Sequence, residues 1–337
     1  MAVLAVGYSG PPAWQWSDTV ASWTLEPVVV ALSVVLGALY AVGVLRVRRR
    51  GDRWPLGRTV GWFSGLLLWV WVTCSGVGVY ERILFTDRAA QVILLLMVVP
   101  LLLAMGAPVS LVVESASERG RERMLRLLRS GPSKVLMFPA VSTALLMLPP
   151  WLYYYTPWYE HTMTSSGWNM GLHVALVALG LAYFWPRLQI DPVGHEYPAL
   201  VGVFITMAEV IFDAGLGMLL IYGRGTVAQH YYEALGRPWG PTIHQDQVWG
   251  GNALWVLGDL AGLPFLAALV RRMMVKGRAE TAAVDAAIDA QLAAQRTALE
   301  EAPDGERSAG IPADPERMRP WWLDDPNLAH RYGGERG

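Results

Sequence analysis

Seven apolar stretches, each about long enough to cross a bilayer, occupy residues 27–47, 60–80, 89–113, 135–155, 168–188, 199–222 and 248–270. A helix needs roughly 20 apolar residues to span the hydrocarbon, where it alone, apart from a closed barrel, can satisfy its own backbone. The pattern predicts an all-α integral membrane protein, a seven-transmembrane-helix bundle over residues 27–270. Residues 1–26 read as a short external segment, lacking the basic start and long apolar core of a cleavable signal peptide. Residues 271–337 read as a cytoplasmic tail.

Arginine gives the bundle a direction. The loop after the first stretch carries Arg46, Arg48, Arg49, Arg50, Arg53 and Arg58, and the loop after the third carries Arg119, Arg121, Arg123, Arg126, Arg129 and Lys134. The loop from Thr156 to Gly167 has no Lys or Arg, and the one from Gly223 to Gln247 has only Arg224 and Arg237. Arg271, Arg272, Lys276 and Arg278 follow the last stretch. Under the positive-inside rule the N-terminus is outside and the C-terminus cytoplasmic. A formal net charge of −1 conceals this division. Trp151, Tyr153, Tyr154, Tyr155, Trp158 and Tyr159 gather where the fourth helix should emerge, as interfacial aromatics do.

Beyond Arg278 the composition changes. Val284, Ile288 and Leu292 recur at four-residue spacing, which predicts a weak amphipathic helix over 279–299. The remainder, with its tandem Trp321 and Trp322, is too polar for a core and reads as disordered. The single cysteine, Cys74, excludes an intramolecular disulfide and a thiolate pair, and reads as a small core residue.

Ionisable residues inside a membrane are costly and by default mark function. On the sixth stretch Glu209 and Asp213 lie four apart, and on the seventh Asn252 and Asp259 lie seven apart, each pair on one helical face. Asn169 and His173 open the fifth stretch, and Asp246 marks the outer entry of the seventh. At about 1.5 Å per residue, His173 and Asp213 lie roughly 8 and 14 Å below the outer surface. These residues predict either an outward-opening polar pocket or hydrogen bonds that tie the helices together. Glu209, Asp259, Asn252 and Asn169 read as buried polar groups.

Soft thioether and imidazole ligands suit Cu(I). His173 with Met163, Met170 and Met218 supplies both types in the outer half, and His161, His230 and His244 lie in outer loops. No His-x-His or Met-x-Met spacing brings them together, and methionine is also a common core filler. A copper site and a structural role both stay open at this point. No Walker loop, nucleophile elbow, dinucleotide fingerprint or basic nucleic-acid surface occurs, so neither an enzyme on soluble substrates nor a nucleic-acid binder is expected.

The order of landmarks resembles the CtaG family of seven-helix bacterial cytochrome c oxidase assembly proteins. The similar residues are Trp23-Thr24-Leu25-Glu26-Pro27; Leu39-Tyr40 through Gly51 and Trp54-Pro55; Gln91 with the run to Pro100, Gly106 and Pro108; His173 with Trp185-Pro186; and Gly250-Gly251, Trp255, Gly258 and Asp259. The resemblance implies a multi-pass factor in a bacterial plasma membrane that helps mature a haem-copper oxidase by delivering or holding copper on the outer side. Oxidase subunits or other assembly factors are its implied partners, with the lipid bilayer as solvent. Two histidines of the family pattern are absent, at Val92 and Leu148, so the implied metal site keeps only His173, with Asp213, Asp246, Met170 and Met218 as further candidates. The rival readings are a transporter for copper or another small solute, and a non-catalytic scaffold that has lost metal binding. Reporter fusions test the orientation: those at Gly51 and Ser130 should report cytoplasmic and one at Gly236 external, and the reverse pattern would refute it.

Overall fold

Proline sets the start of several helices. Pro27, Pro108 and Pro139 each occupy a first helical position, where the missing N–H costs nothing and φ is already helical. The computed structural model describes residues 8–188 and 199–301. In chain order the elements are α1 (Asp18–Ala21), α2 (Pro27–Arg49), α3 (Leu56–Cys74), α4 (Gly76–Tyr80), α5 (Phe85–Ile93), a π-helical turn at Leu94–Val98, α6 (Val99–Met105) and α7 (Pro108–Ser115). Then come α8 (Glu118–Leu128), α9 (Gly131–Met137), α10 (Pro139–Tyr155), α11 (Trp158–Thr164), α12 (Ser166–Leu188), α13 (Ala199–Tyr222), α14 (Gln229–Leu235) and α15 (Ile243–Glu301). No strand occurs among the described residues. The chain divides into two units, Met1–Arg272 and Met273–Gly337. The first holds α1 to α14 and the start of α15; the described part of the second is helical through Glu301.

Among the described residues, four helical runs are long and apolar enough to cross a membrane: Pro27–Arg49, Leu56–Tyr80, Phe85–Ser115 and Ser166–Leu188. The pair α9 and α10, bent by 63°, makes a fifth if counted as one span. That bend falls within the apolar stretch 135–155. Phe138 is extended (φ −65°, ψ 128°), because a residue before proline is driven out of the helical region by the ring. The segment 279–299 is not a separate helix but part of α15, and Val284, Ile288 and Leu292 are exposed. Residues 302–337, with the tandem Trp, lie outside the described residues.

Close packing depends on two backbone devices. Pro100 has no N–H to give to the carbonyl four residues back, and the π turn at Leu94–Val98 precedes it. The carbonyl four residues before Pro100, that of Leu96, is the one against which Gly180 of α12 packs: a Cβ at Gly180 would lie 2.0 Å from Leu96 O and 2.3 Å from Pro100 Cγ. Gly217 and Gly251 do the same between α13 and α15, a Cβ on either lying 3.3 Å from the other's carbonyl oxygen. Small residues at such crossings let backbones approach where hydrophobic segregation gives no help. At the arginine-rich end, Tyr40 stacks on Trp62 with centroids 4.9 Å apart, donates to Gly106 O (2.8 Å) and accepts from Trp54 Nε1 (3.1 Å). Arg50 Nη1 donates to Glu114 O (2.7 Å), and its Nη2 to Ser115 O and Ala116 O, satisfying carbonyls at the end of α7.

Gly180→Ala should therefore force α12 off the π turn, a strain of about 1–3 kcal/mol. Its accumulation in the membrane should fall well below that of Gly171→Ala, where nothing lies within 4 Å of an added Cβ. Equal abundance of the two variants would contradict this packing.

Candidate functional site

The opposite end of the first unit is organised by the start of α5. Its N-cap residue, Leu84, has no side-chain acceptor for the free N–H groups of the first turn. Asp246, 161 positions away on α15, supplies one: Oδ2 accepts from Phe85 N (2.9 Å), and Oδ1 from Thr86 N (3.1 Å) and Thr86 Oγ1 (2.7 Å). A carboxylate there also complements the positive end of the helix, and Arg237 Nη2 completes its charge balance at 3.5 Å. Gly250, one turn along α15, permits the approach, since a Cβ there would lie 2.4 Å from Phe85 Cδ1.

One turn into α5, Arg88 and Gln91 lie three apart and so share a face, as Asn169 and His173, four apart, do on α12. These four meet Glu81 in the link between α4 and α5. Arg88, Gln91, Asn169 and His173 are completely buried and Glu81 nearly so. Glu81 accepts from Asn169 Nδ2, from Gln91 Nε2 and from His173 Nε2, the last at 3.0 Å. Arg88 Nη2 lies 3.6 Å from Glu81 Oε1 and donates to Asn169 Oδ1 (2.7 Å), while Nη1 donates to Gln91 Oε1 (2.9 Å). Each amide thus bridges the ion pair, accepting from the guanidinium and donating to the carboxylate. Gln91 also donates to Val72 O (3.3 Å), which joins α3 to the cluster.

Burial by itself would raise the Glu81 carboxyl, but the Arg88 charge and the hydrogen bonds from His173 and Gln91 outweigh it and hold the group down to about 2. Glu26, just before α2, is raised by its own partial burial, an effect the charges of His173, Arg82 and Arg88 oppose and that of Glu81 reinforces. The cluster's field therefore reaches the N-terminal approach to the bundle.

Of the residues singled out in the sequence, His173, Asn169 and Asp246 come together at this end. Met170 is half-buried on α12, and Met218 is 46 % exposed on α13. Asp213 belongs elsewhere, with Glu209 and Asp259 in a second polar group around Tyr183 and Arg187. Tyr183 is ten residues from His173 on α12, a rise of roughly 15 Å. There Tyr183 OH donates to Glu209 Oε2 (2.5 Å), and Arg187 Nη1 lies 3.3 Å from Glu209 Oε1, while Nη2 donates to Thr143 Oγ1. Asn252 is not buried: it is exposed and donates to Val248 O of its own helix (2.8 Å). Val92 is fully buried in the apolar core, and Leu148 is 47 % exposed.

Glu81 and Arg88 were not legible as the centre of the site. They flank the break between two apolar stretches, outside both. The available signal was Arg88 three residues before Gln91, an ionisable residue on the first turn of a spanning run. Among the described residues no three His, Cys, Asp or Glu side chains gather as metal ligands. His173 Nε2 is committed to Glu81, and the Met163 thioether faces the Arg88 guanidinium at 3.9 Å. A fixed cation at that point opposes a second one.

Glu81→Gln would leave the buried Arg88 without its counter-charge, a loss on the order of 3–5 kcal/mol for a buried pair, so membrane abundance should drop sharply. The pH dependence has a definite sign. A carboxyl depressed in the fold to about 2, against an ordinary value near 4.3, contributes stability that is complete above that ordinary value and lost as pH falls toward 2. Thermal unfolding of the purified chain in detergent should show this acid loss, and residual folded Glu81→Gln should lack it.

The match to known proteins covers both polar groups. A family model for the cytochrome c oxidase caa3 assembly factor matches residues 38–276. An uncharacterized protein of Mycobacterium leprae is 30 % identical over 258 residues, covering 74 % of this chain and 39 % of that protein. Uncharacterized proteins of Mycobacterium bovis and Mycobacterium tuberculosis are each 30 % identical over 275 residues, covering 79 % of this chain and 41 % of theirs. The chain thus spans about two-fifths of the length of the curated relatives it matches. No solved structure matches. With the family pattern running from within α2 into α15, the chain belongs to the cytochrome c oxidase caa3 assembly factor family, CtaG.

Proposed function

We propose that the chain acts in the bacterial plasma membrane as an assembly factor for a haem-copper cytochrome c oxidase, crossing the bilayer seven times with its N-terminus outside. The observation that carries this reading is the family match over residues 38–276, supported by the apolar spans and the arginine asymmetry. Its partners on this reading are oxidase subunits or other assembly factors that dock on the bundle, and the protein is a scaffold rather than an enzyme. The Glu81 cluster then serves as an interhelical clamp that fixes the shape of the outer end.

Copper delivery is the rival form of the same role. Its support is the family's implied chemistry and the unpartnered, buried Nδ1 of His173 among the described residues. Against it stand the Arg88 charge and the lack of a ligand group around that imidazole. Solute transport rests on Glu209, Asp213 and Asp259, but Glu209 is tied to Arg187 and Tyr183 in a bond network between helices.

A clean deletion, with no paralogue expressed, should lower oxidase activity and the haem spectra of the assembled enzyme while oxidase polypeptides are still made. Normal spectra would remove the assembly reading. Added copper distinguishes the two forms: it should leave the defect unchanged if the protein is a scaffold and relieve it if the protein delivers copper.

A further inference from the structure

A cavity of about 560 Å³ opens where α10 and α13 end, between the α10–α11 turn and the loop that follows α13. Its size falls within the range of small-molecule sites, roughly 300–1,000 Å³. One wall is aromatic, from Tyr154, Tyr155 and Tyr159; the other is the 223–228 loop with Arg224 and Thr226; Glu160 stands at the start of α11. Tyr154 is 3 % exposed, yet its hydroxyl has no partner among the described residues.

The loop wall is preformed. Gln247, nearly fully buried on α15, accepts from Val227 N (2.6 Å) and donates to Leu220 O (2.9 Å) and Gly225 O (3.1 Å). The next residue, Ala228, is held in the left-handed region at φ 49°, a conformation that a non-glycine residue keeps only where its surroundings impose it.

The cavity's level in the bilayer follows from its neighbours. It lies at the ends of two apolar helices, beside the exposed rings of Trp158 and Tyr222 and the exposed apolar side chains of Leu152 and Leu219. Tyr and Trp at helix ends sit at headgroup depth. Arg224 and Glu160 are both exposed, and neither enters an ion pair among the described residues. The charged lining is therefore one cation and one anion, with the exposed ring of Tyr155 in the same lining.

We propose that this cavity binds the headgroup of a zwitterionic aminophospholipid, phosphatidylethanolamine in class. The phosphate pairs with Arg224, whose planar fork suits it, and the ammonium pairs with Glu160 and the exposed ring of Tyr155. The acyl chains run from the cavity mouth along Leu219. An anionic headgroup would satisfy Arg224 but leave Glu160 facing net negative charge, which electrostatic complementarity disfavours.

The full chain, purified and delipidated in detergent, tests this by thermal unfolding with phosphatidylethanolamine, phosphatidylglycerol or inorganic phosphate added, and by mass spectrometry of retained lipid. Phosphatidylethanolamine should raise the unfolding midpoint most and remain bound at about one per chain. Arg224→Ala and Glu160→Gln should each weaken its binding by about tenfold, the loss of one charge-assisted contact, while Arg224→Lys keeps part of it and Arg126→Ala, an exposed arginine on α8, changes nothing. Equal stabilisation by phosphatidylglycerol or by phosphate alone, or phosphatidylethanolamine binding unaffected by both Arg224→Ala and Glu160→Gln, would overturn the proposal. None of these readouts depends on oxidase assembly, so failure here leaves that reading standing.

Discussion

A completely buried guanidinium sets the terms for one end of this protein. Removing Arg88 from water costs several kcal/mol even after relaxation, and the cost is offset only if charge and hydrogen bonds are returned to it in the right directions. Glu81 returns the charge, and Gln91 and Asn169 return hydrogen bonds while also binding the carboxylate. The partners come from the α4–α5 link, from α5 and from α12, so these segments must arrive together for any of them to be satisfied. Such a pair adds little net stability compared with a well-packed apolar core, but breaking it is costly. It specifies which helices meet and in what register.

The second polar group obeys the same rule at a different level. Glu209, Tyr183 and Arg187 tie α12 to α13, and Thr143 brings in α10. Between the groups, residues 174–182 of α12 are all apolar or glycine, and Gly180 in this stretch lies against the backbone of the π turn. A solute or proton moving along α12 would meet close-packed apolar side chains between His173 and Tyr183. The two groups are therefore separated along α12 by apolar packing.

The helical, membrane-spanning character was legible because a 20-residue apolar run has few alternatives in a bilayer. The kink at Phe138–Pro139 could have been read from the proline, whose effect on the preceding residue is local chemistry. His173, Asn169 and Asp246 were visible as polar residues at the mouth of apolar stretches, yet their partners were not. Glu81 sits outside every apolar window, and its role depends on Asn169 and His173 lying 88 and 92 positions away. Asp213 instead lies with Tyr183, roughly 15 Å along α12 from His173, a difference of level that helix ends placed only to within several residues conceal. Asn252 differs by rotation, since its side chain turns back to Val248 O on the exposed face. Rotation is set by crossings such as Gly217 against Gly251, and these appear in sequence only as small residues.

Adjacent positions at the start of α15 connect what the helices bring together. Successive residues on a helix point about 100° apart, so Asp246 and Gln247 reach different neighbours: one holds the start of α5, and the other holds the loop that walls the cavity. Both are buried and both bind backbone groups that would otherwise lack partners, so neither contact can be lost without exposing a cost elsewhere. The clamp around Arg88 and the cavity beside Tyr154 thus share one support, the first turn of α15.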